Sequence, residues 1–350
     1  MAQSPLYDDH VRLGARFVEF AGWEMPVQYA SVLAEHEAVR AAVGVFDVSH
    51  LGRFRLEGPG STELLGRLLC NDVSAIEPGR AQYTMALNES GGVEDDIIVW
   101  RWESERYWVV PNGANDDKIR AAFDAAAGHG IDIDNLRETT ALIAVQGPDA
   151  PAVIEAVLGT KPGRFRLFES EFDGYPVWVA GTGYTGERGG EIAIPAGGAA
   201  GLFGAVQEAG ATPAGLGSRD TLRLEMGYPL WGQDLDPQTT PLEAGLGWVV
   251  NWEHDFVGKR ALEQQRAGGG YKQLIGFVME GRQIARQHYP LRAGPAIGSV
   301  TSGNFSPTLK QGIGLGYLTP PAEIEVQVEV EVRGSWLPVE RREPPFIERT

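Results

Sequence analysis

The sequence predicts an α+β protein that ends in a small β domain. Three observations point there. Strand-like runs come in pairs joined by Gly- and Asn-rich turns, short amphipathic helices stand between the pairs, and after the glycines at 268–270 only β-type runs remain. The predicted division is a mixed α and β region over residues 1–267 and a β domain over 273–350.

Composition narrows the function. A chain of 350 residues with 43% hydrophobic and 22% charged residues is long enough for two or three domains with real cores. A formal net charge of −17 with no Lys/Arg stripe argues against nucleic acid or an anionic membrane as partner, because both would be repelled before contact. The single Cys70 has no intrachain disulfide partner, and six scattered histidines give no metal-ligand spacing, so no metal is expected. Residues 1–14 carry Asp8, Asp9, His10 and Arg12 where a signal peptide needs an apolar core, and no run approaches a membrane span. The expected location is cytoplasmic.

Along the first region, Leu33, His36, Glu37 and Arg40 follow helical spacing, while Phe46, Val48, Phe54 and Leu56 look strand-like. Asp47, Ser49 and His50 lie too close on one extended segment to form a relay unaided, so His50 is expected to be a hydrogen-bonded structural histidine. STELLGRLLC reads as an amphipathic helix capped by Ser61 or Thr62, with Cys70 in the core. Residues 82–87 and 93–102 then read as strands around the turn NESGG.

That hairpin carries an acid pair. In VEDDIIVWRW, Asp95 shares a face with Ile97 and Val99, and Asp96 with Ile98 and Trp100. A carboxylate in line with apolar residues is a solvated rim, or is paired, or is poised for a cationic or proton-bearing group. A further strand ends at Asn112, a helix starts near Asn115 or Asp116, ALIAVQ reads as a buried strand, and GPDAP opens the next helix with proline in its first turn.

The stretch GTGYTGERGGEI, 181–192, joins two strand-like runs. Its glycines allow a tight turn and close approach to a flat partner, Tyr184 offers a ring, and Glu191 sits just inside the second strand. It lacks the Lys-Ser or Lys-Thr of a phosphate cradle and the serine of a nucleophile elbow. Downstream, Arg219 and Arg223 are spaced to meet on one helix face, where like charges repel. Asp220 can pair with Arg223, which leaves Arg219 at the helix start, held either by an anionic or carbonyl-rich ligand or by an intrachain carboxylate. In the last region EIEVQVEVEVRG alternates valines on one face with glutamates on a solvated one.

In order along the chain, FAGWEMPVQY, GVFDVSHLGRF, NESGGVEDDIIV, VVPNGANDDK, ALIAVQGP, GYTGERGGEI, PAGLGSRDTLRLEMGYPLWGQDLD, TPLEAGLGWVV, FVGKRAL and VTSGNFSPTLKQGIGLGY resemble the serial motifs of the glycine cleavage T-protein (aminomethyltransferase) family. Leu51 stands where the family usually has Met, Arg188 and Gly190 replace common acidic and aromatic residues, and the late tyrosine of some members is missing. The resemblance implies a three-lobed cloverleaf: two interleaved α+β lobes that bind tetrahydrofolate, and a C-terminal β-barrel. By the same resemblance Glu191 accepts two hydrogen bonds from the pterin edge, Tyr184 and Tyr83 give flat or polar contacts, Asn112 a directional amide, and Arg219 a fork to pterin or benzoyl-glutamate. Asp96 matches the family's functional aspartate near N5 and N10. The implied reaction moves a methylene carbon from the aminomethyl-loaded lipoyl arm of H-protein to tetrahydrofolate, with loss of ammonia through cationic, iminium-like species. Two alternatives share the folate site: a demethylase of small methylated donors, and a non-catalytic folate-binding regulator of the iron–sulfur assembly type, whose cysteine motif is missing around Cys70.

Overall fold

The structure, a computed structural model, describes residues 1–348. The described residues divide into two compact units, one of residues 1–84 and 96–219, the other of 85–95 and 220–348. The hairpin of strands Arg80–Leu87 and Val93–Glu103 runs from the first unit into the second.

The first unit is built on two larger sheets. One has six strands in the order Leu167–Phe172, Tyr175–Ala180, Gly189–Pro195, Thr140–Gln146, Gly44–Asp47 and Thr212–Pro213. Thr140–Gln146 is buried along its whole length, as its continuous apolar run predicts. Helices Ala150–Leu158 and Ala196–Glu208 supply the rest of a core that includes Val45, Ile143, Ile154, Val179, Ile192, Leu202 and Phe203. Pro151 lies in the first turn of its helix, where the missing N–H costs nothing.

The other sheet has five strands, Arg80–Leu87, Val93–Glu103, Arg106–Val110, Phe54–Glu57 and Asp132–Asn135. Trp108 stacks on Trp100 at 5.6 Å and meets Trp178 of the six-stranded sheet at 4.9 Å. This aromatic cluster fixes the two sheets of the unit against each other.

The second unit holds a closed barrel of six strands, Gln273–Val278, Gln311–Thr319, Ala296–Ser306, Pro290–Ala293, Val328–Val332 and Ser335–Arg341. Closure leaves no edge strand to pair with another chain. A Cβ on Gly298 would lie 1.7 Å from the Tyr317 carbonyl oxygen, so only glycine allows the neighbouring strands their approach there. The mixed α and β class and the C-terminal barrel agree with the sequence reading.

Three local expectations are corrected. The helix Ser61–Leu68 is not capped by a Ser61 or Thr62 side chain: Gly60, in left-handed conformation, holds the cap position, and Ser61 Oγ donates to the Gly58 carbonyl. Of the alternating glutamate–valine run only Val328–Val332 is strand, with Val328 and Val330 buried and Glu329 paired to Arg292 at 2.8 Å. His50 is buried, but its Nδ1 has no hydrogen-bond partner among the described residues. Cys70 is a buried core residue, as read.

Candidate functional site

Every predicted site residue falls in the first unit. The glycine-rich stretch becomes a loop between strands Tyr175–Ala180 and Gly189–Pro195, pairing Ala180 with Glu191. Gln146, the polar residue that closes the apolar strand, holds the loop: its Nε2 donates to the Thr182 carbonyl at 3.1 Å and its Oε1 accepts from Thr185 Oγ1 at 2.8 Å. A Cβ on Gly183 would sit 2.0 Å from Gln146 Oε1, so this glycine is what lets the side chain through. On the other side Arg40 donates to the Thr185 carbonyl and to Glu187, at 2.7 and 2.6 Å. The loop is therefore fixed by buried or half-buried polar contacts and presents Glu191, 6% exposed, with Oε2 accepting from Thr182 Oγ1 at 2.6 Å.

Arg219 is positioned by a buried carboxylate. Glu35 accepts from the backbone N–H groups of Tyr29, Ala30 and Gly215, at 2.7, 3.1 and 2.9 Å. Its charge lies at the N-terminus of helix Leu216–Glu225, where the helix dipole favours an anion. That anchor places the Arg219 guanidinium over the Tyr184 ring, 5.0 Å from its centroid. Burial pulls the guanidinium pKa below its usual value, against the charges of Glu191 and Tyr184, which hold it up. Nη1 of Arg219 is buried with no hydrogen-bond partner among the described residues.

Asp96 stands at the other end of the cluster. Its neighbour Asp95 is fully buried, while Asp96 is half-buried on the opposite face, as the strand alternation predicts. Tyr83 Oη donates to Asp96 Oδ2 at 3.1 Å, and Asn112 Nδ2 donates to Oδ1 at 2.7 Å. Burial pushes the Tyr83 phenol well above its usual pKa, and the charge of Asp96, its hydrogen bond and then Tyr184 push it further.

The predicted residues form two contact groups, Arg219 over Tyr184 and Tyr83 with Asn112 on Asp96. Electrostatics places Glu191 near Arg219 and Tyr184 near Tyr83. His50 belongs beside these groups, which sequence reasoning missed. Burial first and the Arg219 charge next push its pKa down to about 3, so the imidazole is neutral. Gly113, next to Asn112, packs on it so closely that a Cβ there would lie 3.3 Å from His50 Cδ2. Glu35, Gln146, Arg40 and Thr182 were missed too. Only Gln146 left a sequence signal, as a polar residue ending an otherwise apolar buried run.

Such a cluster offers a flat ring, a carboxylate acceptor and an unused guanidinium donor at one end, and a second carboxylate at the other. It can grip a planar heterocycle by face and edge while holding negative charge near its reacting atoms. Among the described residues no group of three or more His, Cys, Asp or Glu side chains is placed to hold a metal ion. No helix among them is long and apolar enough to cross a membrane.

Comparison with known proteins agrees with this architecture. The family profile described as GCVT N-terminal domain matches residues 6–254, and that of the glycine cleavage T-protein C-terminal barrel domain matches 272–348. The chain is 46% identical to an aminomethyltransferase of Frankia alni, over 100% of this chain and 99% of that protein. With an aminomethyltransferase of Rubrobacter xylanophilus it shares 47% identity, over 100% and 95%. The crystal structure of glycine cleavage system aminomethyltransferase T from Bartonella henselae superposes with a TM-score of 0.91 at 34% identity, covering 99% of this chain and 98% of that one.

Fold and site together define a two-part protein in which a mixed α/β region precedes a barrel of the T-protein type. The chain belongs to the glycine cleavage T-protein, or aminomethyltransferase, family.

Proposed function

We propose that this aminomethyltransferase carries the methylene carbon from S-aminomethyl-dihydrolipoyl H-protein to tetrahydrofolate, releasing ammonia and giving 5,10-methylenetetrahydrofolate. The carbon's C–S and C–N bonds break, C–N bonds form to N5 and N10, and the two protons those nitrogens release leave on ammonia and on the lipoyl thiol. The observation that supports this reading above all is the neighbourhood of two contact groups, Arg219 over Tyr184 with Glu191 acting on it, and Tyr83 hydrogen-bonded to Asp96. The buried, unpartnered Nη1 of Arg219 fits a ligand oxygen or ring nitrogen that would supply the missing acceptor.

In this reading Glu191 accepts from the pterin's amino group and neighbouring N–H, Tyr184 packs on the ring, and Arg219 donates its unused N–H. Asp96 is the catalytic carboxylate: positive charge develops on the transferring group as ammonia departs, and a fixed anion lowers that barrier. The folate site belongs to region 1–267, with 273–350 as the barrel module. The partner protein is the lipoylated carrier.

The test is Asp96→Asn, assayed with aminomethyl-loaded carrier and tetrahydrofolate. Turnover is expected to fall about 100-fold or more, with folate Kd within a few-fold of the parent. Unchanged turnover removes Asp96 from the mechanism. Turnover with a small methylated donor and none with the loaded carrier assigns the site to demethylation instead.

A further inference from the structure

We propose that Tyr83 and Asn112 are positioning residues that act on the reaction through Asp96, clamping its carboxylate from both sides. This rests on the reading of Asp96 as the catalytic carboxylate.

The geometry is two-sided. Tyr83 donates to Oδ2 at 3.1 Å and Asn112 to Oδ1 at 2.7 Å, so each oxygen is held by one of the two residues. Asn112 Nδ2 also reaches the Asp96 carbonyl at 3.2 Å, so one amide group ties both the main chain and the side chain of the aspartate. Strand pairing explains the reach: Val99 faces Val109 and Ile98 faces Val110, and the same antiparallel register, continued, sets Asn112 across from Asp96. Tyr83 is itself tied down, because Asn71 Nδ2 donates to its carbonyl at 3.0 Å and the Asn71 N–H donates to Thr84 Oγ1 at 3.2 Å.

The chemistry of the donors matters as much as their number. A carboxylate turns about its last torsion unless both oxygens are held. A lysine or arginine would hold it but would cancel the field that makes it useful. A phenol and an amide are neutral, so they fix the group and leave its charge in place. They occupy about two of its roughly four acceptor positions. Tyr83 stays a donor because burial and the neighbouring Asp96 keep the phenol protonated. It is unsuited to giving up that proton, which points to holding rather than acid catalysis.

The experiment is a double-mutant cycle in the full chain. Tyr83→Phe and Asn112→Ser are made alone and in the Asp96→Asn background, and kcat and folate Kd are measured for each. Alone, each is expected to lower kcat about ten-fold with Kd within about two-fold. In the Asp96→Asn background each is expected to cost nothing more, since the group it positions is gone. An equal loss of kcat in both backgrounds, or a ten-fold weaker Kd, overturns the clamp and makes these residues direct folate contacts. Tyr83→Phe keeps the ring and its packing, so its result stands even where Asn112→Ser unfolds. An Asp96→Asn protein that turns over normally ends the catalytic reading and the clamp together, whereas loss in Asp96→Asn with an inert Tyr83→Phe ends the clamp alone.

Discussion

Arg219 and Arg223 lie four residues apart in sequence, yet their surroundings are opposite. Arg223 is saturated: its guanidinium meets Asp234 and Ser302 at 2.8 Å, Asp220 at 2.8 and 2.9 Å, and the Tyr228 carbonyl at 3.0 Å. Asp234 in turn accepts from Thr301 Oγ1 at 2.5 Å and from the Leu230 N–H at 2.9 Å. Arg219 lies over a ring, feels Glu191, and keeps a buried nitrogen with nothing to donate to among the described residues. A buried cation whose donors are all used is part of the fold's own bonding. One with a donor left over is not accounted for by the bonding among the described residues.

The largest effect expected from this contrast is on stability. Arg223→Met leaves the fully buried Asp234 without its cation, a kind of change that costs about 3–5 kcal/mol. Denaturant titration should show the lower midpoint. Folding as stable as the parent would mean that the Arg223 network holds nothing.

Arg219→Met should do the reverse. Removing a buried, incompletely satisfied charge leaves thermal stability unchanged or raised, while folate Kd weakens about 10- to 100-fold through loss of a charge-assisted hydrogen bond. The two melting curves and one binding isotherm compare the arginines directly. A destabilised Arg219→Met with normal Kd would erase the distinction drawn here.

This contrast was half legible in the sequence. The spacing of Asp220 and Arg223 marked a local pair and left Arg219 for another partner, because pairs three residues apart on a helix must meet. Asp234, 11 residues on and outside the helix, could not be read from helical spacing, and Ser302 and Thr301 could not because their approach depends on folding over tens of residues. Strand alternation gave the opposite facing of Asp95 and Asp96, but Asn112 reaching Asp96 needed the register of Val93–Glu103 against Arg106–Val110. The cap at Ser61 was misread because a left-handed glycine can end the preceding turn with no side-chain oxygen. Alternating Glu and Val show which residues share a face and not where a pairing partner begins, so the strand starts only at Val328, opposite Val339.

His50 is an expectation half reversed, buried as a structural histidine would be but with Nδ1 unpartnered among the described residues, and it supplies the smallest effect. The groups acting on it are Arg219, Asp47, Arg137 and Arg53. Burial and the three arginines lower its pKa, and Asp47 alone opposes them, leaving a value of about 3 against an ordinary 6.5. Above pH 6.5 the ring is neutral in folded and unfolded chains alike, and the shift changes nothing. Between 6.5 and 3 the unfolded chain binds the proton and the folded chain does not, so stability falls with pH, by about 2 kcal/mol at pH 5 from this residue. His50→Gln carries some constant cost of its own, but it should lose less stability than the parent between pH 7.5 and 5, by about that amount. Arg219→Met should narrow the same gap in part, because the Arg219 charge is the largest of those lowering the pKa. Parallel losses in all three proteins would show that His50 does not sense Arg219, and would place it outside the site.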